Sequence, residues 1–216
     1  MTAPIYIKGE QGTTRWHQLR YGVVSASKFG NVVAADKEGK PRLVKPKGLV
    51  SPYALELACA RLTHGVVLGD GYTSKEMERG NELEPQARQE YELMNEPVDE
   101  WAFIYRDEAK RIGCSPDGTI GDDGGLEIKC PFVKRLMEMS FGGERVDKAH
   151  LPQIQGCMWV TKRSWWDYKV YCPERDGNFP SWTVRVERDP DWMAAFDEHI
   201  VGFNEKVDEI ADWRGR

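Results

Sequence analysis

The 216-residue chain contains no long hydrophobic run, and no stretch approaches the roughly 20 apolar residues that a membrane-spanning helix needs. The N-terminal stretch also lacks the basic start and apolar core of a signal peptide. Hydrophobic residues make up 40% of the chain and charged residues 30%, as in an ordinary globular protein. We therefore expect a cytoplasmic protein that folds as a single domain over residues 1–216.

Cysteine and histidine are sparse and scattered. The five cysteines include no Cys-x-x-Cys pair, and the four histidines do not cluster with them. Zinc and iron–sulfur centres need clustered ligands, and a disulfide framework favours an even number of cysteines. We therefore expect reduced thiols with a structural role at all five positions: Cys59, Cys114, Cys130, Cys157 and Cys172.

Positive charge is in deficit overall, since the formal net charge is −5. The deficit is uneven, because residues 1–50 hold nine Lys and Arg against three Asp and Glu, whereas the remainder holds 21 against 32. Binding depends on where charges gather rather than on their sum. The composition therefore excludes a uniformly basic DNA-coating protein but leaves two interpretations open, a local basic groove or a basic surface segment without a partner.

Apolar periodicity and turn signals predict a fold of the α/β (α+β) class with a mixed sheet. Helices are predicted from Ser25 to Val33, 51 to about 65, 74–94, 151–160 and from Pro190 onward. Strands are predicted at 100–105, 111–115, 126–130, 164–172 and 182–187. Residues 35–50 are rich in Lys, Gly and Pro, which is typical of a mobile basic loop.

Residues 113–131 hold the most informative pattern for chemistry. On a strand, Glu127 and Lys129 share one face, and a hairpin closing on residues 121–125 brings Asp117 near Glu127. Two carboxylates and a lysine at one strand end suit a hard divalent cation, which can activate water for phosphodiester hydrolysis. The alternative is an exposed hairpin with an ordinary Glu–Lys ion pair, which contributes little to stability.

Other polar and aromatic residues have two interpretations each. On the helix from residue 74, Glu84 falls within a stripe of small and apolar residues, so it is predicted to face inward, with Glu82 as the competing candidate. From pattern alone, Gln153 and Gln155 fit a solvated helix face better than a catalytic mouth. Trp159, Trp165 and Trp166 fit the core better than a platform for base stacking.

The chain resembles the phage lambda exonuclease family, a group of viral alkaline-type exonucleases. Collinear segments along nearly the whole chain carry the resemblance: residues 16–27, 114–118, 126–132 and 153–161, and further on 186–189 and 196–198. The resemblance implies a restriction-endonuclease-like fold, in which helices flank a central mixed β-sheet. It also implies a Mg²⁺-dependent, processive 5′→3′ exonuclease on linear double-stranded DNA, which prefers 5′-phosphorylated ends, releases mononucleotides and leaves a 3′ single strand.

The same resemblance assigns roles to residues of this chain. Two Mg²⁺ ions per site, for which Mn²⁺ can substitute, would be held by Asp117, Glu127, the Ile128 carbonyl and Glu84, and Lys129 would position the attacking water. A pocket for the terminal 5′-phosphate would comprise Arg20, Ser27, Ser115 and Gln153. Either Lys37 or Arg42 would contact DNA from the basic loop, in which Leu49 is a candidate for splitting the duplex.

The resemblance further implies a trimeric ring around DNA and a phage single-strand annealing protein as partner, in the cytosol of a bacterial host. Two other functions remain open on the same core. One is an endonuclease or junction resolvase, which has no use for a terminal-phosphate pocket. The other is a DNA-end-binding protein without catalysis, against which the intact Asp117, Glu127 and Lys129 set argues.

Overall fold

The computed structural model describes residues 3–65, 74–174 and 181–212, and within them the chain forms six α-helices. The helices are α1 (Thr14–Arg20), α2 (Pro52–Thr63), α3 (Lys75–Glu92), α4 (Val133–Phe141), α5 (Leu151–Thr161) and α6 (Pro190–Ala211). Two short 3-10 helices span Ala26–Asn31 and Lys148–His150. None of the helices in these ranges has both the length and the apolar character needed to cross a membrane.

Eleven strands lie in the same described ranges. They are β1 (Ile5–Ile7), β2 (Val24–Ser25), β3 (Val33–Ala35), β4 (Pro41–Leu43), β5 (Val98–Asp99), β6 (Phe103–Tyr105), β7 (Ile112–Cys114), β8 (Gly118–Ile120), β9 (Gly124–Lys129), β10 (Trp165–Val170) and β11 (Trp182–Glu187). One sheet has the order β11-β10-β9-β8-β5, a second has the order β1-β6-β7-β2, and β3 pairs with β4. The predicted mixed α/β architecture is therefore confirmed.

The parallel pair β9–β10 determines the connectivity of the five-stranded sheet, since its other pairs are antiparallel. Parallel neighbours need a long crossover, and residues 130–164 supply one that contains α4 and α5. Helix α4 was not predicted. Its nine residues do hold an apolar stripe at helical spacing, which includes Val133, Leu136 and Met137. Leu136 and Met139 are buried, whereas Met137 and Phe141 are exposed.

Helices α5 and α6 pack with the first 3-10 helix around an aromatic cluster. The Phe29 ring centroid lies 5.2 Å from that of Phe196 on α6 and 5.9 Å from that of Trp159 on α5. Gly156 makes the close approach possible, since a Cβ there would lie 2.6 Å from Cδ2 of Phe29. The predicted core role of Trp159 and Trp166 is confirmed, because both are buried. Trp165 is half-buried beneath the Arg185 guanidinium, 3.5 Å from the ring centroid.

Two predictions for local structure were wrong. Residues 35–50 are not one loop, because β3 and β4 form a ribbon whose turn is stabilised by Asp36. The Asp36 Oδ1 accepts hydrogen bonds from the amides of Glu38 (2.9 Å) and Lys40 (2.8 Å). The segment predicted as a helix from Ser25 to Val33 is a 3-10 helix that ends at Asn31, because Val33 starts β3 and pairs with β4.

Candidate active site

The β8–β9 hairpin brings the predicted acidic residues together. Gly118 is the register partner of Leu126, so Asp117 lies beside the strand segment that carries Glu127. The Ile128 amide donates a 2.6 Å hydrogen bond to Oδ2 of Asp117, which fixes this carboxylate against β9. A side chain at position 118 would collide with Val98, since its Cβ would lie 2.0 Å from Cγ1 of that valine. The Asp-Gly pair is thus required by packing as well as by the site.

Glu127 and Lys129 form the predicted pair on one face of β9. The Lys129 Nζ lies 2.5 Å from Oε1 of Glu127, whose side chain is fully buried, whereas that of Lys129 is 27% exposed. The second oxygen of Glu127, Oε2, is buried and has no hydrogen-bond partner in the described part of the chain. The alternative of an exposed, weak ion pair is therefore wrong, because the Glu127 side chain is fully buried and most of the Lys129 side chain is covered.

Burial disfavours the charged forms of Glu127, Asp117 and Lys129 and so shifts their pKa values. Burial, together with the negative charges of Asp117 and Glu84, raises the pKa of Glu127 from 4.5 to about 8, while Lys129 opposes the rise. Burial likewise raises the pKa of Asp117, against Lys129 and the Ile128 amide. Burial lowers the pKa of Lys129, but Glu127 and Asp117 outweigh it, so the net shift is upward and Lys129 stays an ammonium.

Glu84 on α3, rather than Glu82, is the third carboxylate near Asp117 and Glu127. Burial and the charge of Asp117 raise the pKa of Glu84 to about 7, while Arg88 and Lys129 oppose the shift. Arg88 forms an ion pair with Glu84 at 2.5 Å and another with Glu100. Glu82 is exposed.

The donor set fits a hard cation, although the carboxylates are engaged with protein partners in this conformation. Among residues 3–65, 74–174 and 181–212, no three His, Cys, Asp or Glu side chains form a preassembled metal-ligand cluster. The buried, unpartnered Oε2 of Glu127 is the observation that fits an ion, because an orphaned buried oxygen is costly unless something neutralises it. Mutual repulsion among Glu84, Asp117 and Glu127 would also be relieved by a divalent cation.

Three of the four predicted phosphate-pocket residues lie together at the end of α1. Arg20 donates from Nη1 to Oγ of Ser115 (3.1 Å) and from Nη2 to Oγ of Ser27 (3.5 Å). Burial lowers the pKa of Arg20, and no carboxylate forms an ion pair with it in the described ranges. A guanidinium without an acid partner suits an anionic ligand.

Trp16 belongs to the same pocket, although the sequence did not single it out for a role. Its Nε1 donates to Oγ of Ser115 (2.8 Å), and the Arg20 guanidinium lies 4.3 Å from its ring centroid. A cavity of about 150 Å³ opens beside Arg20 and is lined by His17 and Lys28 among others. Trp16 is inside the first segment that resembles the phage exonucleases, but residue type alone does not separate a tryptophan that orders a pocket from a core tryptophan.

Gln153 and Gln155 on α5 have different environments. Gln155 is buried: its Nε2 donates to the Glu187 carbonyl (2.8 Å) and its Oε1 accepts from the Asp189 amide (3.1 Å). The solvated-face interpretation is therefore wrong for Gln155, which links α5 to the start of α6. Gln153 is half-buried and has no hydrogen bond to the Arg20 pocket within the described residues.

The candidate DNA contacts in residues 35–50 are all exposed. Lys37 lies in the turn of the β3–β4 ribbon and Arg42 lies on β4. Leu49 is fully exposed. All five cysteines are unbridged, as predicted, and Cys114, Cys157 and Cys172 are buried. Cys59 is exposed, so a structural role in the core is wrong for this residue.

A mixed sheet whose central hairpin carries an acid, a second acid and a lysine is the layout of the restriction-endonuclease-like class. Comparisons with known proteins support the same class. The chain belongs to the YqaJ-like viral recombinase domain family, whose model matches residues 15–164.

Solved structures extend this similarity over nearly the whole chain. The alkaline exonuclease LHK-Exo from Laribacter hongkongensis superposes with a TM-score of 0.75 and 30% identity, covering 93% of this chain and 95% of that chain. Its complex with dAMP matches at 28% identity with the same coverage. A phage-related exonuclease from Haemophilus somnus 129PT has a TM-score of 0.59 at 16% identity over 90% of this chain and 97% of that one, which supports the fold alone.

A curated relative covers a smaller part of the chain. The Escherichia coli K12 protein ExoD is 36% identical over 74 residues, or 34% of this chain and 84% of that protein. Together, the family and the structural similarity to an alkaline exonuclease confirm the expected restriction-endonuclease-like fold and support a nuclease that acts in recombination.

Proposed function

We propose that this protein is a Mg²⁺-dependent exonuclease that degrades linear double-stranded DNA processively in the 5′→3′ direction. It prefers 5′-phosphorylated ends, releases 5′-mononucleotides and leaves a 3′ single strand for annealing in phage-type recombination. The observation that carries the proposal is the closeness of the Arg20 pocket to the acids. Ser115 and Asp117 are two residues apart, hence at most about 7 Å between Cα atoms, the scale of one nucleotide.

The two sites divide the work of removing one nucleotide. Arg20, Ser27 and Ser115 bind the terminal phosphate, and Gln153 completes the pocket from α5. A terminal phosphate bound there would place the next phosphodiester beside Asp117 and Glu127. Cleavage one nucleotide away from a bound terminal phosphate is what an exonuclease needs, whereas an endonuclease does not need a binding site for a terminal phosphate. The dAMP complex of LHK-Exo supports a mononucleotide product.

The acids and the lysine act on the scissile phosphate. Asp117, Glu127, the Ile128 carbonyl and Glu84 would hold Mg²⁺, or Mn²⁺ in its place, with two ions per site. Bound metal supplies an activated water and positive charge for the phosphoryl oxygens. Glu127 holds the Lys129 ammonium through Oε1, so that Lys129 orients the water and adds positive charge beside the transition state. The Ile128 amide keeps Asp117 aligned with this pair.

The assembly and setting are part of the proposal. A homotrimeric ring would keep the enzyme on DNA between cycles, which accounts for processivity. The exposed Lys37 or Arg42 would contact the duplex, through interactions that salt weakens. A phage single-strand annealing protein would take up the 3′ strand. The enzyme would be phage- or prophage-encoded and act in the bacterial cytosol.

One assay tests the activity, with strand-specifically labelled linear duplexes that carry 5′-phosphate or 5′-hydroxyl and a closed circle, all in Mg²⁺. We expect mononucleotides from the 5′-phosphorylated strand and no cutting of the circle. Nicked circles would favour an endonuclease or resolvase. Binding of ends without cleavage would favour an end-binding protein.

Two matched pairs of variants assign the two sites. Lys129→Ala should abolish cleavage and retain DNA binding, whereas Lys134→Ala, with a side chain that is 90% exposed, should behave as wild type. Arg20→Ala should slow degradation of phosphorylated ends more than hydroxyl ends, whereas Arg15→Ala, exposed on the same helix, should not. Equal loss on both ends in Arg20→Ala would remove the phosphate pocket from the proposal.

A further inference from the structure

Tyr168 and His150 lie beside the acidic residues and have no part in the function proposed above. In the parallel β9–β10 pairing, Tyr168 is the register partner of Glu127, so the two side chains project from the same face of the sheet. Tyr168 is fully buried. Its hydroxyl makes a 2.8 Å hydrogen bond with Nδ1 of His150, and the two rings are 5.8 Å apart.

The hydrogen bond to Tyr168 gives the His150 ring a specific orientation. His150 directly precedes α5, but its side chain makes no capping hydrogen bond to that helix. The ring is therefore held by Tyr168 rather than by the end of the helix. Gln153 lies one turn further along the same helix, so His150 and Gln153 belong to the same edge of the site.

The environment of the phenol selects one tautomer of His150. Burial raises the pKa of Tyr168, so its hydroxyl keeps its single proton, and the backbone amide of Asp147 interacts with the phenol oxygen and opposes the rise. An amide N–H can only donate, so it uses one lone pair of that oxygen. Among the described residues, Nδ1 of His150 is the hydrogen-bond acceptor within reach of the phenol proton, so the buried phenol donates to Nδ1. A neutral imidazole that accepts at Nδ1 carries its own proton on Nε2.

The second ring nitrogen is left for a ligand. Burial and the nearby Lys129 ammonium lower the pKa of His150 to about 4, although Asp147 opposes the shift, so the ring is neutral near pH 7. Within residues 3–65, 74–174 and 181–212, Nε2 of His150 has no hydrogen-bond partner, and the residue is half-buried. Because Tyr168 is the register partner of Glu127 and its hydroxyl holds the His150 ring, this ring lies next to the part of the sheet that carries the Glu127–Lys129 pair.

We propose that His150 is a substrate-binding residue of this site, whose Nε2–H donates to a phosphate oxygen of the strand being cleaved, and that Tyr168 is its positioning residue. The inference rests on the proposed function. A neutral donor adds a directed hydrogen bond to the phosphate without placing a second cation next to Lys129.

Two conservative substitutions separate the roles of the two ring nitrogens. The amide nitrogen of His150→Gln reaches the position of Nε2, whereas that of His150→Asn reaches only the position of Nδ1, beside Tyr168. The measurements are single-turnover cleavage of 5′-phosphorylated duplex in Mg²⁺, DNA affinity in Ca²⁺ and thermal stability. A lost phosphate hydrogen bond of ordinary strength corresponds to about tenfold in rate.

We expect His150→Asn to cleave about tenfold more slowly and His150→Gln to stay within about threefold of wild type. Tyr168→Phe, which keeps the buried ring but removes the hydroxyl that pairs with His150 and the Asp147 amide, should fall between them in rate, with a lowered thermal stability. A normal rate in His150→Asn together with a slow rate in His150→Gln would overturn the proposal, since the ring would then act only through Tyr168. Wild-type rates in all three variants would overturn it too and leave the proposed function standing, whereas an inactive wild type would remove both.

The tautomer can be measured without activity. The chain has four histidines, so the ¹⁵N ring resonances of His150 can be assigned by their loss in His150→Gln. We expect the wild-type ring to carry its proton on Nε2, and Tyr168→Phe to populate both tautomers. A proton on Nδ1 in the wild type would refute the assigned geometry.

Discussion

Glu127→Gln tests the central electrostatic feature of the site, a fully buried carboxylate with one unpartnered oxygen. Its pKa of about 8 lies above the ordinary value of 4.5, so the folded protein binds this proton more tightly than the unfolded chain does. The contribution to stability is therefore fully present below about pH 4.5 and is lost as the pH rises towards 8. Glutamine mimics the protonated acid and removes this dependence.

The size of the effect follows from the two pKa values. In the metal-free protein, ionisation of Glu127 costs about 1 kcal/mol at pH 5.5 and about 4–5 kcal/mol at pH 8.5. Glu127→Gln should therefore be more stable than wild type by about 3 kcal/mol more at pH 8.5 than at pH 5.5.

The assay is denaturant unfolding in EDTA, followed by tryptophan fluorescence at both pH values, with the exposed Glu82→Gln as the control. Adding Mg²⁺ at pH 8.5 should stabilise wild type and leave Glu127→Gln almost unchanged, because a ligand stabilises the folded state that binds it. An equal stability difference at both pH values, or no response of wild type to Mg²⁺, would refute the assignment of Glu127 as a buried acid that awaits a cation.

Three other changes test separate parts of the structure. Glu84→Gln should raise the Mg²⁺ concentration needed for half-maximal cleavage, measured by titration; an unchanged midpoint would remove Glu84 from the site. Trp16→Phe keeps a ring under Arg20 but loses the indole hydrogen bond to Ser115, so the affinity for phosphorylated DNA ends should fall about fivefold. An equal fall for hydroxyl ends would argue against a role of Trp16 in the phosphate pocket. Gly156→Ala should destabilise by about 1–3 kcal/mol, because its Cβ meets the Phe29 ring, whereas Gly202→Ala, with nothing within 4 Å, should stabilise slightly in thermal unfolding.

Sequence patterns were sufficient where periodicity and local turn chemistry decide the structure. The last helix illustrates this, since Trp192, Phe196 and Ile200 recur at helical spacing and are all buried on α6 as expected. Glu127 and Lys129 were placed on one face because strand alternation permits no other arrangement. The β3–β4 ribbon was missed, because three-residue strands have no measurable period and form only when a partner strand pairs with them, whereas the hairpin that contains β8 was expected from its glycine-rich turn.

The sequence by itself determined the residue types of the site, the face of β9 that carries them and the resemblance to a nuclease family. Only the tertiary structure decided how much charge the site buries, because the environment of Glu127 comes from elements distant in sequence. It also decided that Gln155 links two helices and that Tyr168 lies against Glu127, a contact set by the register of two parallel strands about 40 residues apart. Contacts across such distances depend on the whole fold, since no local pattern encodes which strands become neighbours.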